Sequence, residues 1–507
     1  MRSDFKWLTH YFFPLKHTHS LAMHTRDFRE SARTKIVATV GPACLEEDQL
    51  AALVEAGVSV FRLNMAHAAP DAHLQTVEKI RRVSEQLDEP IAILVDLAGP
   101  KIRLGELPDG KIDCQLGECY EFVQGTQSDA PHELTSTYDA LIDELSVGDT
   151  VMLADGTVSM RVVEKHPDRA RCLVTQYGTI RSRQGINLPG VRLSVPTMSK
   201  DDFQHAIWAA QTGIDFVSLS FVRSPDDVRQ LRELLRAYGS KAHVVAKIEK
   251  FEALEQLDAI VDAADAVMVA RGDLGVEIDV ARMPMEQKRI ISTCRRYQRP
   301  VIIATQMLDS MHHSPRPTRA EATDVANAIL DGGDACMLSG ETAIGEYPRE
   351  AVEMMHRIAL ATEANLKLYP PPPKPEHAVR GLHEITQSVV NGSGSIAQQL
   401  KAKIVVVASR SGATALALAN QRNFVPTVGV SDSDATLRRM CLYWGVTPLR
   451  GLHARDVQQL MKHADQWGYS SGTLRKGDRL VLIGGSHLTA GVHDLLVVHE
   501  VGDPPKL

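Results

Sequence analysis

Eight apolar segments alternate with amphipathic helical segments over the first two thirds of the chain, and this alternation constrains the fold more than any other feature. The segments read TKIVATVGP, VSVFRLNM, IAILVDLAGP, FVSLSFV, HVVAKIE, AVMVARGD, VIIATQM and ACMLSGE. The spacing predicts helices between most of them, at residues 46–57, 71–87, 200–213, 225–238 and 318–330. Because near-continuous apolar strands separated by helices are typical of parallel strands covered on both faces, eight such units predict an α/β fold, a (β/α)8 TIM barrel.

The connection after the third apolar segment is much longer than the others, and residues 102–191 contain several short β-like runs. Long connections inside a compact domain usually have their own structure, so an inserted small β-barrel lid domain is predicted above the strand ends. The barrel domain would then comprise residues 31–101 and 192–368. A stiff proline-rich linker opens residues 369–507, where a second pattern predicts a C-terminal α/β domain with helices at 382–400, 413–421, 435–444 and 457–467.

The overall composition argues against several classes of protein. The chain has 507 residues and a formal net charge of -7, which disfavours nucleic acid or an anionic membrane as the main partner. The seven cysteines form no CxxC pair, and no apolar run is long enough to span a bilayer, so a cytoplasmic location is predicted. Residues 1–30 are expected to form a disordered extension, with a targeting peptide as the alternative.

Charged residues end the fifth and sixth apolar segments, where a barrel would have its active site. Lys247 and Glu249 are two residues apart, so on a strand their side chains point to the same side. Asp273 follows the next strand and is predicted to lie in a glycine-flanked loop. Two carboxylates can hold Mg²⁺, and an ammonium group can neutralise a moving phosphoryl group, so the pattern favours metal-assisted phosphoryl transfer. Strand caps or a structural ion pair remain the alternative.

Polar residues also follow most of the other predicted strands, and together they indicate an anionic, metal-bound substrate. They are Arg62, Asn64, His67, Asp96, Lys101, Arg103, Ser220, Arg223, Thr305, Ser339 and Glu341. Taken singly, a residue such as His67 is more often an ordinary loop histidine, and one such as Thr305 is more often a strand-end hydroxyl bonded to backbone. Ser339 and Glu341 could simply seal the last strand, and Arg319 and Glu321 open a helix that could contact another subunit.

A set of longer motifs resembles those of the pyruvate kinase family. The motifs are TKIVATVGPA, FRLNMAH, DLAGPKIRLG, GINLPG, AKIEK, ARGDLGVE, ATQML, PRPTRAEATDVANA and MLSGETAIGEYP, in the order in which the family has them. The resemblance implies transfer of a phosphoryl group from phosphoenolpyruvate to ADP, with Mg²⁺ as cofactor and Mn²⁺ as an alternative. It also implies a homotetramer and a regulatory C-terminal domain.

The resemblance also assigns roles to residues of the substrate site. Arg62 would hold the phosphoryl group, since a guanidinium suits phosphate oxygens, and Lys247 would stabilise its charge in the transition state. Glu249 and Asp273 would ligate Mg²⁺. The backbone around Gly272 and Asp273 would bind the substrate carboxylate, and Thr305 would assist protonation of enolpyruvate.

For the nucleotide, the resemblance implies that Asn64, His67 and Arg103 face its phosphates with a second Mg²⁺. Asp155 in the insert would close over the site. Gln184 stands where many members of the family carry a lysine near the nucleotide, and the adjacent Arg183 could compensate.

Three positions depart from the pattern of family members that need K⁺. The serine and threonine that would bind K⁺ are replaced by Ala66 and Leu97, and Lys101 replaces a neighbouring glutamate. Asn64 and Asp96 remain from the ligand set. Because the Lys101 ammonium could supply the missing positive charge, activity without K⁺ is predicted, as in the K⁺-independent branch of the family. The alternative is that Lys101 only faces solvent near Asp96.

A possible effector loop lies in the C-terminal domain, between a predicted strand and helix. Ser409, Ser411 and Thr414 could hold a phosphate with backbone N–H groups at the helix start, and residues 484–489 could close over it. In the family this loop binds phosphorylated sugars or AMP, although a vestigial loop is the alternative.

Two other functions are also considered for the chain as a whole: another Mg²⁺ barrel enzyme acting on enolates, such as an aldolase or lyase, and a catalytically silent metabolite sensor.

Overall fold

The computed structural model describes residues 31–67, 70–125, 127–128, 130, 132–369, 375–451, 457–485 and 492–502. The predicted extension at residues 1–30 lies outside these described residues, and so does most of the proline-rich linker. In the part that is described, no helix is both long enough and apolar enough to cross a membrane.

Eight parallel strands close into a barrel, which confirms the predicted fold class. In chain order they are β1 Lys35–Thr39, β2 Val58–Asn64, β3 Ala92–Asp96, β4 Phe216–Leu219, β5 His243–Ile248, β6 Ala266–Ala270, β7 Val301–Ala304 and β8 Ala335–Leu338. Every residue of β3, β4, β6, β7 and β8 is buried, as expected for strands that face a filled interior on one side and helices on the other. The register pairs Asn64 and Ser218 with Asp96 from its two sides.

Helices surround the strands and form within one residue of the five predicted helices. The main ones are Glu47–Ala56, Pro70–Gln86, Lys200–Thr212, Pro225–Ala237, Leu257–Ala263, Met283–Arg296, Arg319–Leu330 and Pro348–Glu363. Three of the sharply defined starts have capping boxes, in which the side chains of Ser199, Ser224 and Thr318 each bond the backbone three residues ahead. The apolar faces of the helices pack on the outward side chains of the strands, with Phe61, Leu63 and Ile80 fully buried between the layers.

The insert has its own β structure and its own core. Six strands pair in the order Ile186–Asn187, Thr150–Leu153, Val158–Lys165, Arg169–Gln176, Cys119–Val123 and Glu133–Leu134, and Lys111–Cys114 pairs with Gly178–Arg181. Its turn Ala154–Gly156 packs on the short helix Arg271–Glu277, where a Cβ at Gly156 would be 3.6 Å from Val276. The insert therefore lies over the carboxyl ends of the barrel strands, since this short helix directly follows β6.

The C-terminal domain is a five-stranded sheet covered by helices. The strand order is Val446–Arg450, Thr427–Ser431, Ile404–Ala408, Arg479–Gly484 and Leu495–Glu500, and only the last strand is antiparallel to its neighbour. The helices are Glu384–Gln399, Ala413–Asn420, Asp434–Met440 and Val457–Ser470.

Two details of the sequence prediction for this domain were wrong. The helix predicted to run to residue 444 ends at Met440, because the next three N–H groups bond carbonyls three residues back and the chain turns at Gly445 with φ 66°. Val446–Arg450 then forms an edge strand that was not predicted. Pro448 obscured it, since proline weakens a strand prediction but is tolerated at a sheet edge.

Candidate active site

The buried ammonium of Lys247 is the centre of a charged cluster at the carboxyl ends of β3, β4 and β5. Its Nζ lies 2.7 Å from Ser220 Oγ, 2.9 Å from Glu249 Oε1 and 3.3 Å from Asp96 Oδ1. Only 9% of Lys247 and 1% each of Glu249 and Asp96 are exposed. Burial disfavours the ammonium, but the charges of Asp96 and Glu249 outweigh this and raise the pKa of Lys247. The lysine is therefore held as a cation in a site with little access to water.

Asp96 connects Lys247 to Arg62. Arg62 donates to Asp96 Oδ2 from Nη2 at 2.5 Å and from Nε at 2.9 Å, and Ser218 Oγ donates to Oδ1 at 2.6 Å. Burial raises the pKa of the Asp96 carboxyl, but the charges of Lys247 and Arg62 and these hydrogen bonds lower it to about 2. A third guanidinium nitrogen, Nη1 of Arg62, donates to Thr39 Oγ1 at 3.1 Å. The guanidinium and the ammonium are thus fixed by one shared carboxylate.

Glu249 and Asp273 form the acidic side of the site. Glu249 uses Oε1 with Lys247 and accepts from the Phe221 N–H through Oε2 at 2.8 Å. Burial raises the pKa of Glu249, and the nearby charge of Asp273 raises it further. Two carboxylates that repel each other suit a cation between them, and oxygen ligands are those that Mg²⁺ prefers.

The protein supplies few ligands for such an ion. Within the described ranges, no group of three or more His, Cys, Asp or Glu residues is positioned to hold a metal. The donor set therefore fits an ion that keeps waters or substrate oxygens as its other ligands, which is the usual state of Mg²⁺ in phosphoryl-transfer sites.

Asp273 lies on a helix, and its predicted position in a loop was wrong. It belongs to the first turn of the short helix Arg271–Glu277, directly after β6. The glycines on either side suggested a loop, but the first turn of the helix is bonded to the neighbouring strand end: the Gly272 N–H donates to Thr305 Oγ1 at 2.8 Å. Asp273 also lines a small cleft with Lys101 and Asn187 of the segments that lead into and out of the insert.

Thr305 follows β7 in a strained turn that Arg271 stabilises. Thr305 and Gln306 have φ values of 69° and 53°, a region that non-glycine residues rarely occupy. Arg271 Nη2 donates to the Thr305 carbonyl at 2.7 Å, and Arg271 Nη1 pairs with Asp324 Oδ2 at 2.6 Å. The turn directs the Thr305 hydroxyl to Gly272, and so connects β7 with the helix that carries Asp273.

The predicted nucleotide residues are not part of this cluster of contacts. Asn64 Oδ1 accepts from the Ala66 N–H at 3.2 Å, and the carbonyl of His67 lies 2.7 Å from His73 Nε2. Arg103 is exposed on the insert, where Nη1 donates to the Arg183 carbonyl at 3.1 Å. Asn64 is partly exposed, and His67 and Arg103 are exposed.

The predicted replacement for K⁺ also lies at the insert. Lys101 is exposed and lies beside Gly185: its Nζ is 3.5 Å from the point that a Cβ would occupy if Gly185 had a side chain. Leu97 is fully buried directly after Asp96. Both oxygens of Asp96 are bonded by Arg62, Ser218 and Lys247, so the described contacts of this carboxylate are all made by groups of the barrel.

Sequence reasoning missed the role of Asp96 and Ser218 as a hub, and of Ser220 as a partner of Lys247. The signal was present in the fourth segment, where Ser218 and Ser220 are two residues apart in an apolar run and so point to the same side. The predicted strand order places that segment beside the third strand. Two hydroxyls on one face of a buried segment indicate polar partners. Asp96 is such a partner, because it lies beside Ser218 in the register of the neighbouring strand.

The side chains of two other polar residues, Glu341 and Glu321, have structural partners. Glu341 accepts from the N–H groups of Leu308 at 3.1 Å and Ser339 at 2.7 Å, which supports the prediction that it seals the last strand. Glu321 completes the capping box of Thr318 and accepts from Ser310 Oγ at 2.5 Å.

The predicted effector loop closes on itself and on one histidine. Ser409 Oγ accepts from the Gly412 N–H at 3.0 Å, and Ser411 Oγ accepts from the Ala413 N–H at 3.3 Å. Thr414 Oγ1 lies 2.7 Å from His493 Nδ1. Most of the segment predicted to close over the loop, residues 486–489, lies outside the described residues.

Comparisons with known proteins agree with this geometry. The family model "Pyruvate kinase, barrel domain" matches residues 31–352, and "Pyruvate kinase, alpha/beta domain" matches residues 387–499. Pyruvate kinase of Bacillus licheniformis is 38% identical over 477 residues, covering 93% of this chain and 81% of that protein. Pyruvate kinase of Geobacillus stearothermophilus is 38% identical over 482 residues, and that of Staphylococcus aureus strain MRSA252 is 37% identical over 482 residues, each with the same two coverages.

These matches span both the barrel and the C-terminal domain, and they favour a pyruvate kinase over the aldolase, lyase and sensor alternatives. The cluster of Lys247, Glu249 and Asp96 lies within the matched barrel. The chain therefore belongs to the pyruvate kinase family and is a phosphotransferase.

Proposed function

We propose that the chain transfers the phosphoryl group of phosphoenolpyruvate to ADP, giving pyruvate and ATP, and that it needs Mg²⁺ but not K⁺. The observation that carries this proposal is the buried contact between Lys247 and two carboxylates, Glu249 and Asp96, with Arg62 on the far side of Asp96. A fixed ammonium and a fixed guanidinium that share one carboxylate suit a group that moves with several negative charges.

Arg62 and Lys247 bind the phosphoryl group from two sides in this proposal. Their positions are set before substrate arrives, because Asp96 bonds both and is itself bonded by Ser218. Preorganised charges of this kind stabilise the transition state without rearranging during the reaction. Arg62 keeps N–H groups beyond those that bond Asp96 and Thr39, and these are available for phosphate oxygens. The three N–H groups of Lys247 bond Ser220, Glu249 and Asp96, so Lys247 would act on the phosphoryl group mainly through its charge.

Glu249 and Asp273 would hold Mg²⁺, which when bound polarises the substrate oxygens and offsets the charge on the phosphate. The first turn of the helix that begins at Arg271 would receive the carboxylate of phosphoenolpyruvate on backbone N–H groups, including that of Gly272. Thr305 Oγ1, which now accepts from Gly272, would then be released to orient a water that protonates the methylene carbon of enolpyruvate.

The nucleotide would lie on the open side of the cluster. Asn64, His67 and Arg103 would contact its phosphates. Arg183 would take the role of the lysine that many members of the family carry at the position of Gln184. Asp155 would approach the nucleotide when the insert closes. Lys101 would supply the positive charge that K⁺ provides in other members of the family, because it lines the same cleft as Asp273.

Regulation and assembly follow from the family and are part of the proposal. Ser409, Ser411 and Thr414 would bind a phosphorylated sugar or AMP, since their hydroxyls lie at the start of the helix Ala413–Asn420. The chain would form a homotetramer in the cytoplasm and bind neither nucleic acid nor membranes.

The test is an assay of ADP-dependent pyruvate formation coupled to lactate dehydrogenase, with Mg²⁺ present or replaced by EDTA. We expect activity that needs Mg²⁺, and a loss of about 10³-fold in kcat for K247M, because one charge directed at the transition state is removed. K288M is the matched control, since Lys288 pairs with Asp331 on an exposed helix face. Equal activity of K247M and K288M would contradict the proposal.

A further inference from the structure

Two buried arginines meet at the end of the barrel opposite the active site, where the barrel joins the C-terminal domain. Arg295 lies in the last turn of the helix Met283–Arg296, and Arg422 follows the helix Ala413–Asn420 of the C-terminal domain. We refer to Arg295 and Arg422 as the arginine pair. Only 4% of Arg295 and 10% of the Arg422 side chain are exposed, so neither guanidinium has much contact with water.

The two guanidinium groups are close to each other, because both contact Gly332. Arg422 Nη2 donates to the Gly332 carbonyl at 2.6 Å, and Arg295 Nη1 lies 3.3 Å from the position of a Cβ at Gly332. A Cβ at this position, where φ is 103°, would make a tight contact with Arg295. Burial and the adjacent charge of Arg422 lower the pKa of Arg295 to about 9, which leaves Arg295 charged at neutral pH. Arg422 is taken as charged because an arginine side chain is not deprotonated in proteins.

Four nitrogen atoms of the arginine pair have no hydrogen-bond partner among the described residues. They are Nε and Nη1 of Arg295 and Nε and Nη1 of Arg422. A buried donor without a partner costs about 1–3 kcal/mol, and more when it is charged, so several in one place indicate a ligand.

The charge at this place is also not balanced. Asp334 pairs with Arg422 at 3.0 Å and accepts from the Val301 N–H with its other oxygen. Glu363 is the next carboxylate, but its oxygens accept from the backbone of Arg33 and from Thr34, and Arg33 brings a further positive charge. The C-terminal ends of the helices Met283–Arg296 and Ala413–Asn420 carry partial negative charge, which offsets part of the excess positive charge. They do not provide hydrogen-bond partners for the four nitrogen atoms.

We propose that a small monovalent anion, of which chloride is the common example, binds between Arg295 and Arg422 and joins the C-terminal domain to the barrel. A single negative charge neutralises the excess, and an anion accepts from several N–H groups without needing donors around it. Water could accept as well, but it would leave the charge unbalanced and would need acceptors for its own protons. The buried setting disfavours larger anions such as a sugar phosphate.

The direct test is crystallisation of the full chain with bromide in place of chloride, followed by an anomalous difference map. A bromide peak between the two guanidinium groups is expected. A water there, or no density, in the presence of bromide would overturn the proposal. Because a concentrated halide can also bind as an adventitious ion only, a solution measurement is needed beside the crystal.

The solution measurement is the unfolding temperature in chloride and in gluconate at constant ionic strength. We expect a saturable rise of roughly 2–4 °C in chloride for the wild-type chain, and no rise for R295M. R296M is the matched control, because Arg296 is the neighbouring arginine but pairs at the surface with Asp258 and Glu376, and it should keep the rise. Equal unfolding temperatures of the wild type in the two salts would refute a specific site. Should R295M fail to fold, the bromide map of the wild type decides.

Discussion

Replacing Asp96 by asparagine tests whether one buried carboxylate organises the candidate site. The carboxyl has a pKa of about 2 in the fold instead of 3.8, and a difference of one pKa unit corresponds to about 1.4 kcal/mol. The ionised form therefore contributes about 2 kcal/mol to the free energy of unfolding at neutral pH. In D96N an amide NH₂ would also face one of the donors Arg62, Ser218 or Lys247, which costs about 1 kcal/mol more.

We thus expect D96N to lower the free energy of unfolding by about 3 kcal/mol and the barrel's unfolding temperature by several degrees. The folded-state pKa lies below the unfolded value, so this contribution is present above about pH 4 and disappears as the pH falls towards 2. Differential scanning calorimetry of the wild type and D96N from pH 7 to pH 3 measures the difference between their free energies of unfolding at each pH. Because Arg62 and Lys247 lose their common partner, kcat should also fall about 10²-fold.

The matched control is D226N, because Asp226 pairs with Arg229 on an exposed helix face and such pairs contribute little. We expect the free energy of unfolding of D226N to lie within about 0.5 kcal/mol of the wild-type value. If D96N were as stable and as active as D226N, the account of Asp96 as the organising group would be wrong.

Two further predictions concern the same site. The variant A66S/L97T/K101E restores the residues of K⁺-dependent relatives. Its rate should rise at least tenfold when K⁺ replaces tetramethylammonium, whereas the wild-type rate should not change. A large response of the wild type to K⁺ would refute K⁺ independence. Arg271 should act through Thr305, since it bonds the Thr305 carbonyl in the strained turn. R271K is therefore expected to lower kcat about tenfold in the wild type and much less in T305A, whereas additive losses in the double variant would assign Arg271 a separate role.

The barrel was predictable because its strands are local features of the sequence. Each is a short apolar run between helix caps, and Ser199 and Thr318 define helix starts that sequence alone reveals. The contact of Lys247 with Glu249 was equally local, since two residues on one strand share a side.

Features that depend on cross-strand register or on single tertiary contacts were not predictable in the same way. Asp96 became a hub only when β2, β4 and β5 placed Arg62, Ser218 and Lys247 around it. The glycines beside Asp273 argued for a loop by propensity, but the hydrogen bond from Gly272 to Thr305 and the packing of the insert favour a helix there.

The most direct test of the central claim is ³¹P NMR of phosphoenolpyruvate and ADP with the purified chain and Mg²⁺. The account predicts that the phosphoenolpyruvate signal falls as the γ-phosphate signal of ATP rises in equal amount, and that E249Q and D273N lose this transfer while remaining folded. Release of free phosphate in place of ATP, or full transfer by E249Q and D273N, would contradict it.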